Sequence, residues 1–386
     1  MGSAEVLVRV VVGHSEDPDA AGAVEEVVET AVPALAGERP LAALIYSGID
    51  MDHAALLRGL EARWPGLPTI GCTTDGECSS SLCFSEDSVV VLLLTGEGLT
   101  LRTSVASGLA TDTEAAVARA VEGIRGHAPP KLVVALGESL NVSGAAIVGA
   151  LNRRLPAETV LVGGTAGDQW RFARTYQFHG AQVHSDAVVL LSIEGDLKVS
   201  VGVESGWRPI GRRARVTKAR GPLLYELDGR PAMERFRSWF GGHTLPSPEH
   251  PFAVFEEGAA DSYLRAPMPL DPDDGSIVCT ADIPEGALVQ VTEAGRDQIL
   301  DGARQAMRLA VDRYPGDSPS GLLLFSCAAR KQVLGTRTHQ EIEALTSVGG
   351  GLSAGGFYTY GEIGPSRPGA PASFHNETVV AALVGS

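Results

Sequence analysis

The sequence predicts a mixed α/β fold in two domains, the first carrying an internally duplicated strand–helix–strand–hairpin unit. Three observations lead there. A glycine-rich turn occurs twice, as Ile70-Gly71-Cys72-Thr73-Thr74-Asp75-Gly76 and as Val162-Gly163-Gly164-Thr165-Ala166-Gly167-Asp168. The same order of apolar strand, capped helix and second strand precedes each copy. Finally, a chain of 386 residues is longer than one domain usually is. We place the domain border near residue 220, where Arg208 to Arg220 is basic and Ala219-Arg220-Gly221-Pro222 is rich in turn residues. The expected domains are therefore 1–220 and 221–386.

In the first copy Pro40 to Ser47 reads as a buried strand. Asp52 caps a helix from Ala54 to Trp64, with Leu56, Leu57 and Leu60 at helical spacing, and Pro65 and Pro68 stop it. Thr69-Ile70 then enters the first turn. In the second copy Pro130 to Leu136 is the strand, Ser143 caps a helix from Gly144 to Leu155, and Thr159 to Val162 enters the second turn. After each turn the pattern predicts a hairpin: Asp87–Glu97 with Leu99–Gly108, and Asp186–Asp196 with Leu197–Gly206. Gly-Glu and Gly-Asp are the expected turn pairs. Between the copies a helix is expected over Asp112 to Ile124, capped by Thr111 or Thr113.

The C-terminal part gives a partial third echo. Phe374 to Val384 resembles Phe84 to Leu94, Gly321 to Ser326 reads as a buried strand, and Glu341 to Thr346 continues a short helix. Gly349-Gly350-Gly351 and Gly355-Gly356 read as a loop of tight turns. Gly241 to Asp274 reads as a long loop with short strands, and helical periodicity returns from Arg296 to Tyr314.

Composition narrows the function. The net charge of -16 argues against nucleic acid and against anionic lipid, both of which need a basic surface. No stretch approaches the ~20 apolar residues of a membrane span. Met1 to Ala20 lacks the basic and apolar regions of a signal peptide. A cytoplasmic protein is the expectation. Five cysteines, Cys72, Cys78, Cys83, Cys279 and Cys327, have neither a disulfide framework nor zinc spacing.

These residues resemble the FIST domain sensory proteins. The resemblance rests on Gly71 to Glu77, Val162 to Asp168 and Gly206-Trp207-Arg208-Pro209-Ile210-Gly211 in the first half. In the second half it rests on Leu224 to Gly229 with Pro231-Ala232, Tyr263 to Pro267, Asp282 to Gly286, Cys327 with Arg330, Gly356 to Ile363 and Phe374 to Thr378. It implies a FIST N-terminal domain followed by a FIST C-terminal domain. It also implies a sensor of small ligands, with amino acids favoured, that feeds signalling proteins. No kinase, cyclase or chemotaxis output is evident in the chain, so the expectation is either signalling through a separate partner or binding without signalling. Some relatives bind haem, sense nitric oxide and pair with histidine kinases, which makes haem the alternative cofactor. No CxxCH motif supports covalent haem.

For an amino-acid ligand, Arg330 suits the carboxylate, since its planar fork accepts one in bidentate fashion. Asp168 or Glu362 suits the ammonium group. Gly71, Cys72, Thr73, Gly164 and Thr165 supply the polar cradle, and Phe357 and Tyr358 an apolar wall. His375 is a further candidate contact, although a structural hydrogen bond explains it as well. An enzyme using Cys72 or Cys327 is the other alternative, which requires a neighbouring base or a lowered thiol pKa. No metal site is expected.

Overall fold

Helix caps and buried strands repeat three times along the chain. The computed structural model describes residues 8–242, 244–258, 262–270 and 272–386. The first unit comprises β1 (Arg9–Ser15), α1 (Ala20–Leu35), β2 (Ala42–Ser47), α2 (His53–Arg63), β3 (Thr69–Thr73), β4 (Glu77–Ser79), β5 (Cys83–Ser85) and β6 (Val89–Thr95). The second repeats this order as β7 (Thr100–Ser107), α3 (Thr113–Gly123), β8 (Leu132–Gly137), α4 (Gly144–Asn152), β9 (Val160–Thr165), β10 (Gln177–His179), β11 (Gln182–His184) and β12 (Ala187–Glu194).

The third unit opens with β13 (Lys198–Glu204), after which a small subdomain is inserted. That insertion holds β14 (Arg208–Pro209), β15 (Ala214–Arg220), β16 (Leu223–Leu227), β17 (Arg230–Pro231), α5 (Ala232–Trp239), β18 (Phe252–Phe255), β19 (Tyr263–Arg265), β20 (Ile277–Val278) and β21 (Leu288–Glu293). The third unit then resumes with α6 (Arg296–Asp312), β22 (Gly321–Cys327), α7 (Ala328–Leu334), α8 (His339–Val348), β23 (Ser353–Thr359), β24 (Glu362–Pro365), β25 (Ala372–His375) and β26 (Val379–Gly385).

Local chemistry sets the helix starts. The side chains of Asp19, Asp52, Asp112 and Ser143 accept backbone N–H groups in the first turns of α1, α2, α3 and α4. The cap of α3 is therefore Asp112 and neither neighbouring threonine. A carboxylate is the stronger acceptor there, and Thr113 Oγ1 instead donates to the carbonyl of Leu109.

Three six-stranded sheets result, ordered β1-β6-β2-β3-β10-β11, β7-β12-β8-β9-β24-β25 and β13-β26-β22-β23-β4-β5. The strand order corresponds in all three. In each the central pair is parallel (β2–β3, β8–β9, β22–β23). In each the last two strands come from a different unit. The first unit lends β4–β5 to the third, the second lends β10–β11 to the first, and the third lends β24–β25 to the second.

This arrangement corrects the expected hairpins. β6 pairs with β1 and β2, while β7 pairs with β12 in another sheet. β12 pairs with β7 and β8, while β13 pairs with β26. Gly96-Glu97 and Gly195-Asp196 thus carry the chain from one sheet to the next. The apolar alternation was real, but a strand buried on both faces does not reveal its partner.

The inner faces of the three sheets share one core, which includes Leu44, Leu92, Val134, Leu191, Phe325 and Val380. Paired helices cover each outer face: α1 and α2, α3 and α4, and α6 with α8. The inserted subdomain has a separate core built on Phe236, Phe252 and Ile277.

The segment around Gly355-Gly356 lies inside β23, not in a turn. A Cβ at Gly356 would fall 1.8 Å from the carbonyl oxygen of Leu324, and one at Gly71 or Gly163 would fall 2.2 or 1.9 Å from that of Ile45 or Ala135. The same glycine therefore recurs in all three units because the parallel neighbour's backbone occupies its side-chain space.

Candidate ligand site

The repeated turn holds the three units together. Asp75 N donates to Tyr358 O at 2.9 Å and Tyr358 N to Gly76 O at 2.8 Å. Thr165 N donates to Gly361 O at 2.9 Å, and Gly167 N to Thr73 O at 2.9 Å. The backbone groups of the three turns are thus spent on one another, and they form the junction of the fold rather than an open cradle.

Most residues expected to bind ligand have structural partners. Gly71, Cys72 and Thr73 are in β3, with Cys72 in the inner core and Thr73 Oγ1 accepting from Tyr176 N at 3.0 Å. Gly164 and Thr165 end β9, where Thr165 is buried against Gly361. Phe357 packs on Tyr46 with ring centres 4.6 Å apart. Arg330, expected to take a ligand carboxylate, is wholly buried. Its Nε and Nη2 donate to Glu341 at 2.8 and 2.5 Å, Nη2 also to Ile299 O, and Nη1 to Ser205 O. Tyr358 joins the same network, donating to Glu341 Oε2 at 2.6 Å.

Glu362 accepts from Thr359 Oγ1 at 2.9 Å and from Thr378 N and Oγ1 at 3.1 and 2.8 Å. Burial still pushes its carboxyl up to about 8. The first unit repeats this box, with Glu77 held by Thr74 and Ser88 and its carboxyl raised to about 7. His375 Nε2 lies 2.9 Å from Gly364 O, and burial lowers its pKa to about 4. None of the eleven candidates lines the cavity beneath the inserted subdomain, although several of their chain neighbours do.

That cavity, of about 440 Å³, lies where the second and third units meet the inserted subdomain. The carboxyl ends of two parallel strands open onto it, through Cys327 of β22 and Thr359 of β23. Such strand ends are where open α/β sheets bind ligands. Ser139 to Ser143, the loop between β8 and α4, forms another wall. Met268 and Val278 to Asp282 of the insertion close over it.

Trp170 and Phe172 complete the aromatic side beside Tyr360. They belong to an extended turn: the second unit runs from Thr165 to Gln177 where the first runs from Thr73 to Glu77. Gln169, Trp170 and Phe172 all have positive φ, at 57, 61 and 48°, a conformation non-glycine residues rarely adopt. Asp168 holds that loop. Its carboxylate accepts from Phe172 N at 3.0 Å, Ala173 N at 2.7 Å, Arg174 N at 3.0 Å and Tyr360 Oη at 2.7 Å. Asp168 therefore shapes the aromatic wall from behind.

The lining carries no lysine, arginine or histidine, and its one carboxylate, Asp282, is exposed. Cys327 Sγ faces an unfavourable field for a thiolate: burial first, then Glu362 and Glu377, raise its pKa well above the ordinary value. Cys72 is raised in the same direction by burial. Neither thiol is activated as a nucleophile in this arrangement. A larger groove of about 850 Å³ runs past His375, Glu204 and Arg265, but Arg265 donates to the carbonyls of Leu264, Phe374 and Asp282. Among the described residues no group of three or more His, Cys, Asp or Glu side chains is placed to hold a metal, and no helix is long and apolar enough to cross a membrane.

Sequence reasoning missed Ser139, Asn141, Trp170, Tyr360 and Asn376 as cavity residues. The usable signal was the extra length of the second turn, with two aromatic residues in it.

Comparison with known proteins gives a family. The FIST N domain model matches residues 41–230 and the FIST C domain model matches residues 232–365. An uncharacterised protein of Mycobacterium bovis is 30% identical over 385 residues, covering 92% of this chain and 94% of that protein. An uncharacterised protein of Mycobacterium tuberculosis is 29% identical over 375 residues, covering 92% and 95%. Among solved structures, a cyanuric acid hydrolase from A. caulinodans aligns over 98% of this chain and 99% of its own, at 9% identity and a TM-score of 0.37. At those values the likeness says nothing of function.

Proposed function

This chain belongs to the FIST family, whose domains are associated with sensory signalling, and from that premise we propose that it is a sensor that binds a small ligand in the cavity beneath the inserted subdomain. The observation that carries this reading is where the cavity lies. A space of about 440 Å³ at the ends of two parallel strands is large enough for a metabolite and is walled by both body and insertion. Occupancy would stiffen the contact between them, which is a change a separate signalling partner can read.

The amino-acid reading needs a cation for the α-carboxylate. The cavity wall offers none and Arg330 is committed elsewhere, which favours an uncharged polar ligand over a zwitterion. For haem, the wall residues with ligating atoms are Met268, Cys279, Cys327 and Tyr360.

A thermal-shift screen with neutral metabolites, amino acids and haem tests the proposal. A ligand at 100-fold above its Kd stabilises by about 2.7 kcal/mol. Met268→Trp, which fills the cavity from the insertion side, should abolish the shift. A screen without a single stabilising compound, or a shift that survives Met268→Trp, would sink the reading. A Soret band on haem addition would select the haem alternative, and turnover of a candidate substrate lost in Cys327→Ser would select the enzyme.

A further inference from the structure

We infer that the groove beside α4 is a second binding site, for a small monocarboxylate held by the guanidinium of Arg265. It is separate from the cavity and does not depend on it. The groove, of about 850 Å³, runs between Gly149 and Asn152 of α4 and Tyr263 to Arg265 of β19, with Phe374 and His375 of β25 along it. Arg265 lines it and is 7% exposed. Among the described residues no carboxylate pairs with this cation, whose partners are all backbone carbonyls. Burial disfavours its charge. A buried charge without a counter-ion is expensive, so native structures pair them.

A guanidinium has five N–H groups, one on Nε and two on each terminal nitrogen. Nε donates to Asp282 O at 3.0 Å, and Nη1 to Leu264 O at 2.9 Å and Phe374 O at 3.4 Å. Those three bonds clamp the insertion to β25. Nη2 keeps both of its N–H groups without an acceptor among the described residues, and it is not among the polar atoms sealed from solvent. The ring centre of Tyr263 lies 4.2 Å from the guanidinium carbon and fixes its plane, while Tyr263 Oη is anchored on Glu256 at 2.7 Å. The cation is therefore held rigidly and open on one nitrogen. A clamp needs donors only, and a neutral amide would supply them. The full charge is what the clamp leaves unexplained.

The surroundings select the anion. Glu204 and Glu256 are exposed carboxylates of the groove wall, against one exposed cation, Arg367. His375 adds no charge: its Nε2 donates to Gly364 O, and burial lowers its pKa to about 4. A phosphate monoester brings up to about two charges and three acceptor oxygens. It would meet those carboxylates with only the two N–H groups of Nη2 to hold it. A carboxylate carries a single charge, which matches the one buried cation without a partner. Val203 and Leu264 give the groove partly buried apolar surface for the body of the acid.

The test titrates benzoate, benzamide and phenyl phosphate into the full chain by calorimetry, in the wild type and in a Met268→Trp background that fills the cavity. In that background benzoate should bind at least about tenfold more tightly than either other probe. Adding Arg265→Gln, which keeps donors for the clamp, should erase the preference. Adding Glu204→Gln, on exposed surface, should raise benzoate affinity about twofold by removing a like charge. Benzoate no tighter than benzamide, phenyl phosphate binding tightest, or a benzoate preference that survives Arg265→Gln would overturn the site. Benzoate that binds the wild type but not Met268→Trp belongs to the cavity, and overturns it too. Should Arg265→Gln fail to fold, Glu204→Gln decides: a benzoate affinity that stays level or falls sinks the inference.

Discussion

Arg330 and Glu341 form an ion pair with no exposed side-chain surface on either partner. Glu341 also accepts from Ser326 Oγ at 2.8 Å and from Tyr358 Oη, so α7, α8, β22 and β23 are tied at one point. A buried charge that loses its partner is costly, by about 3–5 kcal/mol. Arg330→Ala should therefore lower the stability measured by urea unfolding by that amount. A ligand that binds in the cavity should keep its affinity in whatever fraction remains folded. The double variant Arg330→Met with Glu341→Gln should recover part of the loss, since it strands no charge.

Stability should fall as pH rises from about 6.5 to about 8.5. Glu77 and Glu362 titrate near 7 and 8 in the folded chain, against 4.5 as ordinary carboxyls. Between those values the folded state holds protons that the unfolded state has released, so raising pH favours unfolding. His14 and His375, lowered to about 4 by burial, act in the opposite sense, but only between about 4 and 6.5. Scanning calorimetry across the upper window should show Tm dropping by at least roughly 2 °C. Glu362→Gln should flatten the profile. A rising Tm would contradict the assignment.

Gly356→Ala should be among the most damaging small substitutions in the chain, costing more than about 3 kcal/mol. Its methyl would meet the Leu324 backbone, which cannot give way without breaking the parallel pair. Gly137→Ala is the control. The nearest atom to its new methyl is 3.5 Å away, an ordinary contact. Soluble yield and circular dichroism melts distinguish the two.

Thiol labelling should proceed in a fixed order. Burial raises all five thiols, but Cys83 alone is not buried and so is the one a reagent can reach. Iodoacetamide at pH 8 should modify one site rapidly, and Cys83→Ser should remove that phase in the mass spectrum. Fast modification of Cys327 would revive it as a reactive group.

Local structure was largely legible in the sequence. The caps at Asp52 and Ser143, the strands flanking α2 and α4, and the helix from Arg296 all follow from periodicity and capping chemistry. The helix Ala20–Leu35, capped by Asp19, is less legible because Pro33, a helix-breaking residue, falls inside it. What sequence could not show is pairing between distant strands. β4 meets β23 and β9 meets β24 across most of the chain, and no local pattern encodes either choice. The site suffered for the same reason. Arg330 and Glu362 carry the residue types a ligand needs, but Glu341, Thr359 and Thr378 claim them first. Asn376 lies in the Phe374 to Thr378 stretch that carries the resemblance, but no sequence pattern shows that its amide is buried without a hydrogen-bond partner among the described residues.

The lending of β-hairpins around the three units has a consequence for how the protein is made. Sheet β7-β12-β8-β9 waits for β24 and β25, and sheet β13-β26-β22-β23 must take up β4 and β5 from near the start of the chain. A ribosome will have released almost the entire polypeptide before either sheet can close. The nascent first half would meanwhile expose the unpaired side of β9 and a hairpin with nowhere to dock. Regions matched separately as two family domains are thus expected to be poor candidates for separate expression, while co-expressed halves would have the strands needed to complement each other.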